Sequence, residues 1–103
     1  MRAAAVAFAV LALAGCGKPE PKVYTVVMSE MAFGPTPAEL HVGDTIQWTN
    51  ADILQHTATA RTGAFDVDLP PKTSARTVLS KAGTIDFYCR YHPGMTGRLT
   101  VAR

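Results

Sequence analysis

Between residues 23 and 101 the chain consists of short runs that alternate polar with apolar or are wholly apolar. Glycine, proline or an acidic turn residue cuts off each run, and none holds helical spacing beyond a turn or two. A chain patterned this way has no helix face to bury and must instead bury one face of each of several strands. Residues 23–28 are β-branched and aromatic, followed by a loop holding Gly34, Pro35 and Pro37. Leu40 and Val42 lead into the turn pair Gly43-Asp44. In residues 45–49, Ile46 and Trp48 face one way and Thr45, Gln47 and Thr49 the other. Residues 56–60 and 65–69 read as further short strands, the second broken by Pro70-Pro71, and residues 74–79 as another before Lys81-Ala82-Gly83. Residues 84–89 put Ile85, Phe87 and Cys89 on one face, and the last run turns Leu99 and Val101 inward. Seven or eight strands with turn signals about every 8–12 residues predict an all-β sandwich or barrel.

The N-terminus has a different pattern. Met1-Arg2 is a short positive start, and residues 3–14 are an uninterrupted apolar run. That run is too short to span a bilayer core, which takes about 20 helical residues, but it suits the apolar stretch of a secretory signal. It ends in Leu13-Ala14-Gly15-Cys16, which resembles the lipobox of bacterial lipoproteins. The resemblance implies cleavage before Cys16 and acylation of its thiol, and two or more acyl chains anchor a protein stably. Residues 17–22 are polar and proline-rich, an extended tether of about 3.1 Å per residue. The expected organisation is a signal peptide at 1–15, a lipidated tether at 16–22 and one domain at 23–103. The expected place is the periplasmic or extracytoplasmic face of a bacterial envelope. Loss of the signal leaves nine basic residues against eight acidic ones. A near-neutral domain has no basic face for nucleic acid. So short a chain buries only about 60–65% of its unfolded surface, and a bound metal would help to hold it folded. A monomer is expected.

The informative stretch is residues 88–95, which carry a thiol, an imidazole and a thioether as C-x2-H-x2-M: Cys89, His92 and Met95. Pro93 and Gly94 force a tight loop that bends His92 and Met95 back toward Cys89. Soft sulfur donors with imidazole favour copper, and a trigonal His2Cys set with a weak axial Met is the blue-copper arrangement. It needs a second histidine from a neighbouring strand, and His56, after the polar loop 50–55, is the candidate. His41 has no such company and reads as a surface residue. Met28 and Met31 read as core or patch residues, with Met31 a weak rival for the axial place.

With these residues in view, the chain resembles a cupredoxin, and its ligand-loop spacing is similar to that of the amicyanins. The resemblance extends over nearly all of residues 23–103. It includes Phe33, Pro35, Gly43, Asp44, Thr45, Ile46, Trp48 and Asn50, as well as the order of one distant histidine before the Cys-His-Met loop. It implies a Greek-key β-sandwich of seven to eight strands holding one type 1 copper on His56, Cys89, His92 and Met95. Asn50 and Thr57 would support the ligands from behind. Thr57 departs from the family, where asparagine often follows the first histidine and ties the two ligand loops together. In this chain the Thr57 backbone N–H is left to donate to the Cys89 sulfur.

A donor set supplied wholly by protein leaves no open position for a substrate, which argues against metal catalysis and for an electron shuttle. The electron would pass through the edge of His92, in an apolar patch with Pro93 and Gly94, joined by Phe33, Pro35, Ile53, Leu54 and Pro70. Arg90, Tyr91 and Arg98 stand beside the loop, either as ordinary solvated residues or as a way to steer an acidic partner. The expected partners are a redox donor, a redox acceptor and, through Cys16, a membrane. A copper chaperone or storage protein is the alternative, although chaperones favour exposed, exchangeable Met/His clusters. A multicopper enzyme would need more histidines than His41, a binuclear centre would need a second cysteine on the loop, and a metal-free module would leave the assembled donors unexplained.

Overall fold

The computed structural model of the protein describes residues 20–103, so the signal, Cys16 and most of the tether lie outside the described residues. Nine strands follow one another: β1 (Val23–Ser29), β2 (Ala32–Phe33), β3 (Leu40–His41), β4 (Thr45–Asn50), β5 (His56–Ala60), β6 (Asp66–Leu69), β7 (Ser74–Val78), β8 (Gly83–Tyr88) and β9 (Thr96–Ala102). The excess over seven or eight comes from β2 and β3, two residues each. Their pairing depends on the neighbours β1 and β9, not on a pattern of their own.

One sheet runs β2-β1-β4-β7 and the other β3-β9-β8-β5-β6. The pairs β1–β4 and β3–β9 are parallel, and the other pairs are antiparallel. The alternation read from the sequence becomes burial: Ile46, Trp48, Ile85, Phe87, Cys89, Leu99 and Val101 all face the space between the sheets. At the centre Trp48 packs edge-on to Phe87 at 5.1 Å between ring centroids and tilts onto Phe65 at 5.5 Å. Its ring N–H donates to Thr77 Oγ1 at 3.0 Å, so burial of the indole leaves no orphan donor. Phe33, half-buried, packs against this cluster from its edge, 4.7 Å from Phe87. Gly97 lies opposite Phe87 in the β8–β9 register, and a Cβ there would run into the Phe87 ring.

Strand β5 is buried along its whole length although its sequence, His-Thr-Ala-Thr-Ala, is scarcely apolar. His56, Ala58 and Ala60 share the inner face by the two-residue period. On the outer face, Thr57 and Thr59 join hydroxyl to hydroxyl at 2.9 Å, and Thr59 bonds Asp66 at 2.8 Å. Arg90, just past β8, reaches across β5 to Asp66 and Asp68 on β6. Small side chains let the guanidinium lie over the strand.

The register sets the two ends of the sandwich. Val23 pairs with Thr45 at one end, and Met28 with Asn50 at the other. The chain enters at the first end, and the donors predicted from sequence gather at the second.

Candidate metal centre

Two consecutive tight turns build the ligand loop. The His92 N–H donates to Cys89 O at 3.2 Å and the Met95 N–H to His92 O at 2.8 Å, while the Cys89 N–H closes the loop on Met95 O at 3.0 Å. A turn brings residues i and i+3 within about 7 Å at their Cα atoms. The three-residue spacing of C-x2-H-x2-M is therefore the spacing that two turns fold onto one spot. Cys89 leaves the inner face of β8 fully buried, and Met95 is buried where β9 begins.

His56 opens β5 and is fully buried. Its Nδ1 faces Cys89 Sγ at 3.7 Å. Two donors on one ion, at about 2.0 Å for nitrogen and 2.3 Å for sulfur, stand about 3.5 Å apart at a tetrahedral angle and about 3.7 Å at a trigonal one. The observed spacing fits a shared small cation. The His92 ring is half-buried and stands edge-on to that of His56, with centroids 5.2 Å apart. Imidazoles bound to one ion also place their centroids about 5 Å apart. Among the described residues no three His, Cys, Asp or Glu side chains already converge their donor atoms on one point. The structure thus brings His56 and Cys89 together, with the His92 ring beside that of His56 and Met95 buried at the end of the same loop.

The surroundings hold these donors firmly. The Thr57 N–H donates to Cys89 Sγ at 3.4 Å, and Thr57 Oγ1 accepts the Arg90 N–H at 2.9 Å. Threonine therefore links the two ligand segments from both its backbone and its side chain. The buried amide of Asn50 donates to Leu54 O at 2.8 Å and Leu69 O at 2.9 Å, and its carbonyl accepts the Asp52 N–H at 2.9 Å. It fixes the loop that delivers His56. Among the described residues every buried side-chain nitrogen and oxygen has a partner.

Sequence reasoning missed Asp52. Its Oδ2 lies 2.7 Å from His56 Nε2. A carboxylate is only an acceptor, so the imidazole proton sits on Nε2 and the Nδ1 lone pair faces the thiol. That bond, with the Met31 N–H, holds the Asp52 carboxyl below the ordinary carboxylate range. An acid four residues ahead of a candidate ligand was the available signal, but a loop spacing alone carries no geometry.

Of the residues expected at the outer patch, Ile53 is 80% exposed and Leu54 47%, and Pro70, Pro93 and Gly94 are open to solvent, as is Tyr91 at 54%. Met31 lies on the exposed turn after β1, bound through its backbone to Asp52, whereas Met95 is buried. Arg90 and Arg98 are not free cations: the first is paired with Asp66 and Asp68, the second with Asp86 at 2.7 Å. Of the two readings of these arginines, solvated residues or a means of steering an acidic partner, the ion pairs favour the first. His41 lies at the opposite end, beside Asp44.

Residues 2–101 match the family model described as the cupredoxin-like domain. Over 82 residues the chain is 26% identical to amicyanin of Paracoccus versutus, a stretch covering 74% of this chain and 62% of that protein, less than two thirds of its length. It is 30% identical over 82 residues to amicyanin-alpha of Methylorubrum extorquens, covering 74% of this chain and 69% of the relative. Among solved structures, a Cu(I) amicyanin with one methionine replaced by alanine superposes with a TM-score of 0.65 at 25% identity, covering 77% of this chain and 81% of that one. A purple cupredoxin from Nitrosopumilus maritimus shares the fold, with a TM-score of 0.64 at 24% identity over 76% of this chain and 98% of the other.

Proposed function

The chain belongs to the cupredoxin-like family, and from that premise we propose that it is a single-electron carrier holding one type 1 copper on His56, Cys89, His92 and Met95. The observation that carries this reading is the buried pair at its centre, His56 Nδ1 facing Cys89 Sγ at 3.7 Å. Copper held there would supply one-electron chemistry by alternating between its two common oxidation states. The protein's part is to keep the donors still. Two turns, the Thr57 bridge and the Asn50 amide lock Cys89 and His56 on a rigid sandwich, so little rearrangement accompanies a change of charge. Three of the donors are buried and exclude water, while His92 reaches the surface. The apolar rim of Ile53, Leu54, Pro70 and Pro93 around it suits a brief encounter with a redox protein, the kind of interface that buries less than about 1,200 Å².

The reading extends to placement in the cell. A lipid on Cys16 would hold the protein at the extracytoplasmic face of a bacterial membrane. The chain enters the sandwich at the end of β1 away from His56, so an anchored molecule would turn the His92 rim away from the lipid surface, toward soluble partners.

Absorption and spin-resonance spectra of the copper-loaded protein test the central reading. An intense visible charge-transfer band that bleaches reversibly on reduction, and is lost in Cys89→Ala, is the expected result. A pale protein that surrenders copper readily to a chelator would replace the carrier with a chaperone or storage protein. Radiolabelled fatty acid incorporated into the wild type but not into Cys16→Ala is expected if the anchor is real. Equal labelling of both would discard it.

A further inference from the structure

Asp52 makes more bonds than closing a loop requires. Its Oδ2 takes the His56 Nε2 proton at 2.7 Å and the Met31 N–H at 3.1 Å, and its Oδ1 takes the Glu30 N–H at 2.8 Å. Glu30 and Met31 both lie in the left-handed backbone region, at φ of 53° and 62°, which side chains with a Cβ adopt at a cost. Their two N–H groups are thereby aimed together at one carboxylate. The Asp52 backbone is held in turn by Asn50 Oδ1. The carboxylate is thus fixed from the β1–β2 turn on one side and from the β4–β5 loop on the other, and the bond it makes between them is to a ligand imidazole.

Asp44 serves as an internal comparison. It accepts two backbone N–H bonds, from Lys22 at 2.9 Å and His41 at 2.8 Å, and closes the other end of the sandwich. It touches none of the four donors. If Asp52 were only a clamp, it would need no more than Asp44 has.

We infer that Asp52 is a positioning residue of the metal centre: its carboxylate fixes the proton of His56 on Nε2, aims Nδ1 at Cys89, and with its negative charge favours the oxidised ion. Carboxylate partners of this kind set the tautomer and raise the basicity of a metal-bound imidazole. The charge would stand one imidazole away from a bound ion, on a half-buried side chain whose field solvent screens only in part. The redox part rests on the copper reading above. The tautomer part does not require a metal.

The test uses three variants and two readouts. Long-range nitrogen–proton NMR on the metal-free protein reports the His56 tautomer, and voltammetry on the copper-loaded protein reports the potential. The wild type is expected to carry the His56 proton on Nε2. Asp52→Ala should mix the tautomers. Asp52→Asn keeps an acceptor oxygen but loses the charge, so it should hold the tautomer and the visible band while favouring Cu(I) at least tenfold more, a rise of 59 mV for one electron. Asp44→Asn should move neither. A wild-type proton on Nδ1, an unchanged tautomer in Asp52→Ala, an unmoved potential in Asp52→Asn, or an equal shift in Asp44→Asn would each overturn the inference. Should the wild type show no visible band, the copper reading fails, and the NMR of the metal-free protein still decides what Asp52 does to His56.

Discussion

Each end of the sandwich carries an aspartate that gathers backbone N–H groups from a neighbouring segment, yet the two ends differ in what else is gathered. At the entry end Asp44 joins Lys22 and His41, and its own backbone bonds Leu79. That end is closed between one carboxylate and backbone donors, with none of the four donor side chains involved. At the donor end Asp52 joins the Glu30–Met31 turn to an imidazole, while Asn50 and Thr57 bind the loops that carry His56 and Cys89. The same carboxylate device closes a loop in one place and aims a ligand in the other. The difference teaches that rigidity at the donor end is assembled from polar groups whose partners are all internal, so a lost partner there disturbs chemistry as well as stability.

The comparison breaks most widely if the core joining both ends is disturbed. Gly97→Ala forces a methyl against the buried Phe87 ring and is expected to cost about 3 kcal/mol, the upper range for overpacking, read by urea denaturation. The spectrum of copper-loaded Gly97→Ala should shift too, because Phe87 lies two residues before Cys89 on the same face. A loss under half that size would mean that the ring has room to move.

Next in size is Asp44→Ala, which strips the acceptor from two backbone donors at the entry end. About 2 kcal/mol of stability should go, with visible spectrum and potential unchanged. A changed spectrum would show that the two ends communicate, contrary to the contrast drawn above.

A smaller effect separates Asp44 by pH. Burial alone would raise its pKa, but the N–H groups of Lys22 and His41 outweigh burial and hold the carboxyl below its usual value of 3.8. A depressed folded pKa means that the unfolded chain binds the proton first. Stability from this group is therefore complete above about pH 4 to 5 and lost as pH falls through the folded value. Denaturation midpoints of Asp44→Asn measured between pH 6 and pH 2.5 should decline less steeply than those of the wild type. Parallel curves would contradict the assignment.

The smallest expected change in stability is at the donor end itself. Met95→Leu conserves volume and should cost under about 1.5 kcal/mol in the metal-free protein. Copper should remain bound with a higher potential, because an axial thioether tunes the potential more than it holds the ion. Complete loss of copper from this variant would remove Met95 from the axial role.

Much of the fold was legible because strands expose a two-residue period to inspection. Ile46 with Trp48, and Ile85 with Phe87 and Cys89, share faces in the sequence and share the core in the structure. Strand β5 was legible as a strand but not as a fully buried one, since its cover comes from Arg90 after β8 and from Asp66 and Asp68 on β6, two segments distant from each other in sequence. The contact of Phe33 with the core was not legible for a similar reason: a lone aromatic beside Gly34 and Pro35 has no period, and the β1–β2 pairing lays one side of it on Phe87. Of the site, the loop donors were legible because spacing by three is a local code for two turns. His56 was reached from its place after the polar loop 50–55 and from the family resemblance, and its partner Asp52 not at all.

The amino-acid order alone determined the sandwich class, the positions of the turns and the curling of Cys89, His92 and Met95 onto one loop. Each of these depends on contacts within a few residues or on a period along one strand. Only the tertiary structure decided which atoms of His56 face the thiol and which face a carboxylate, that the arginines near the loop are already neutralised, and that the entry of the chain and the donors lie at opposite ends. These depend on pairs distant in sequence, where strand register, not local preference, chooses the neighbour.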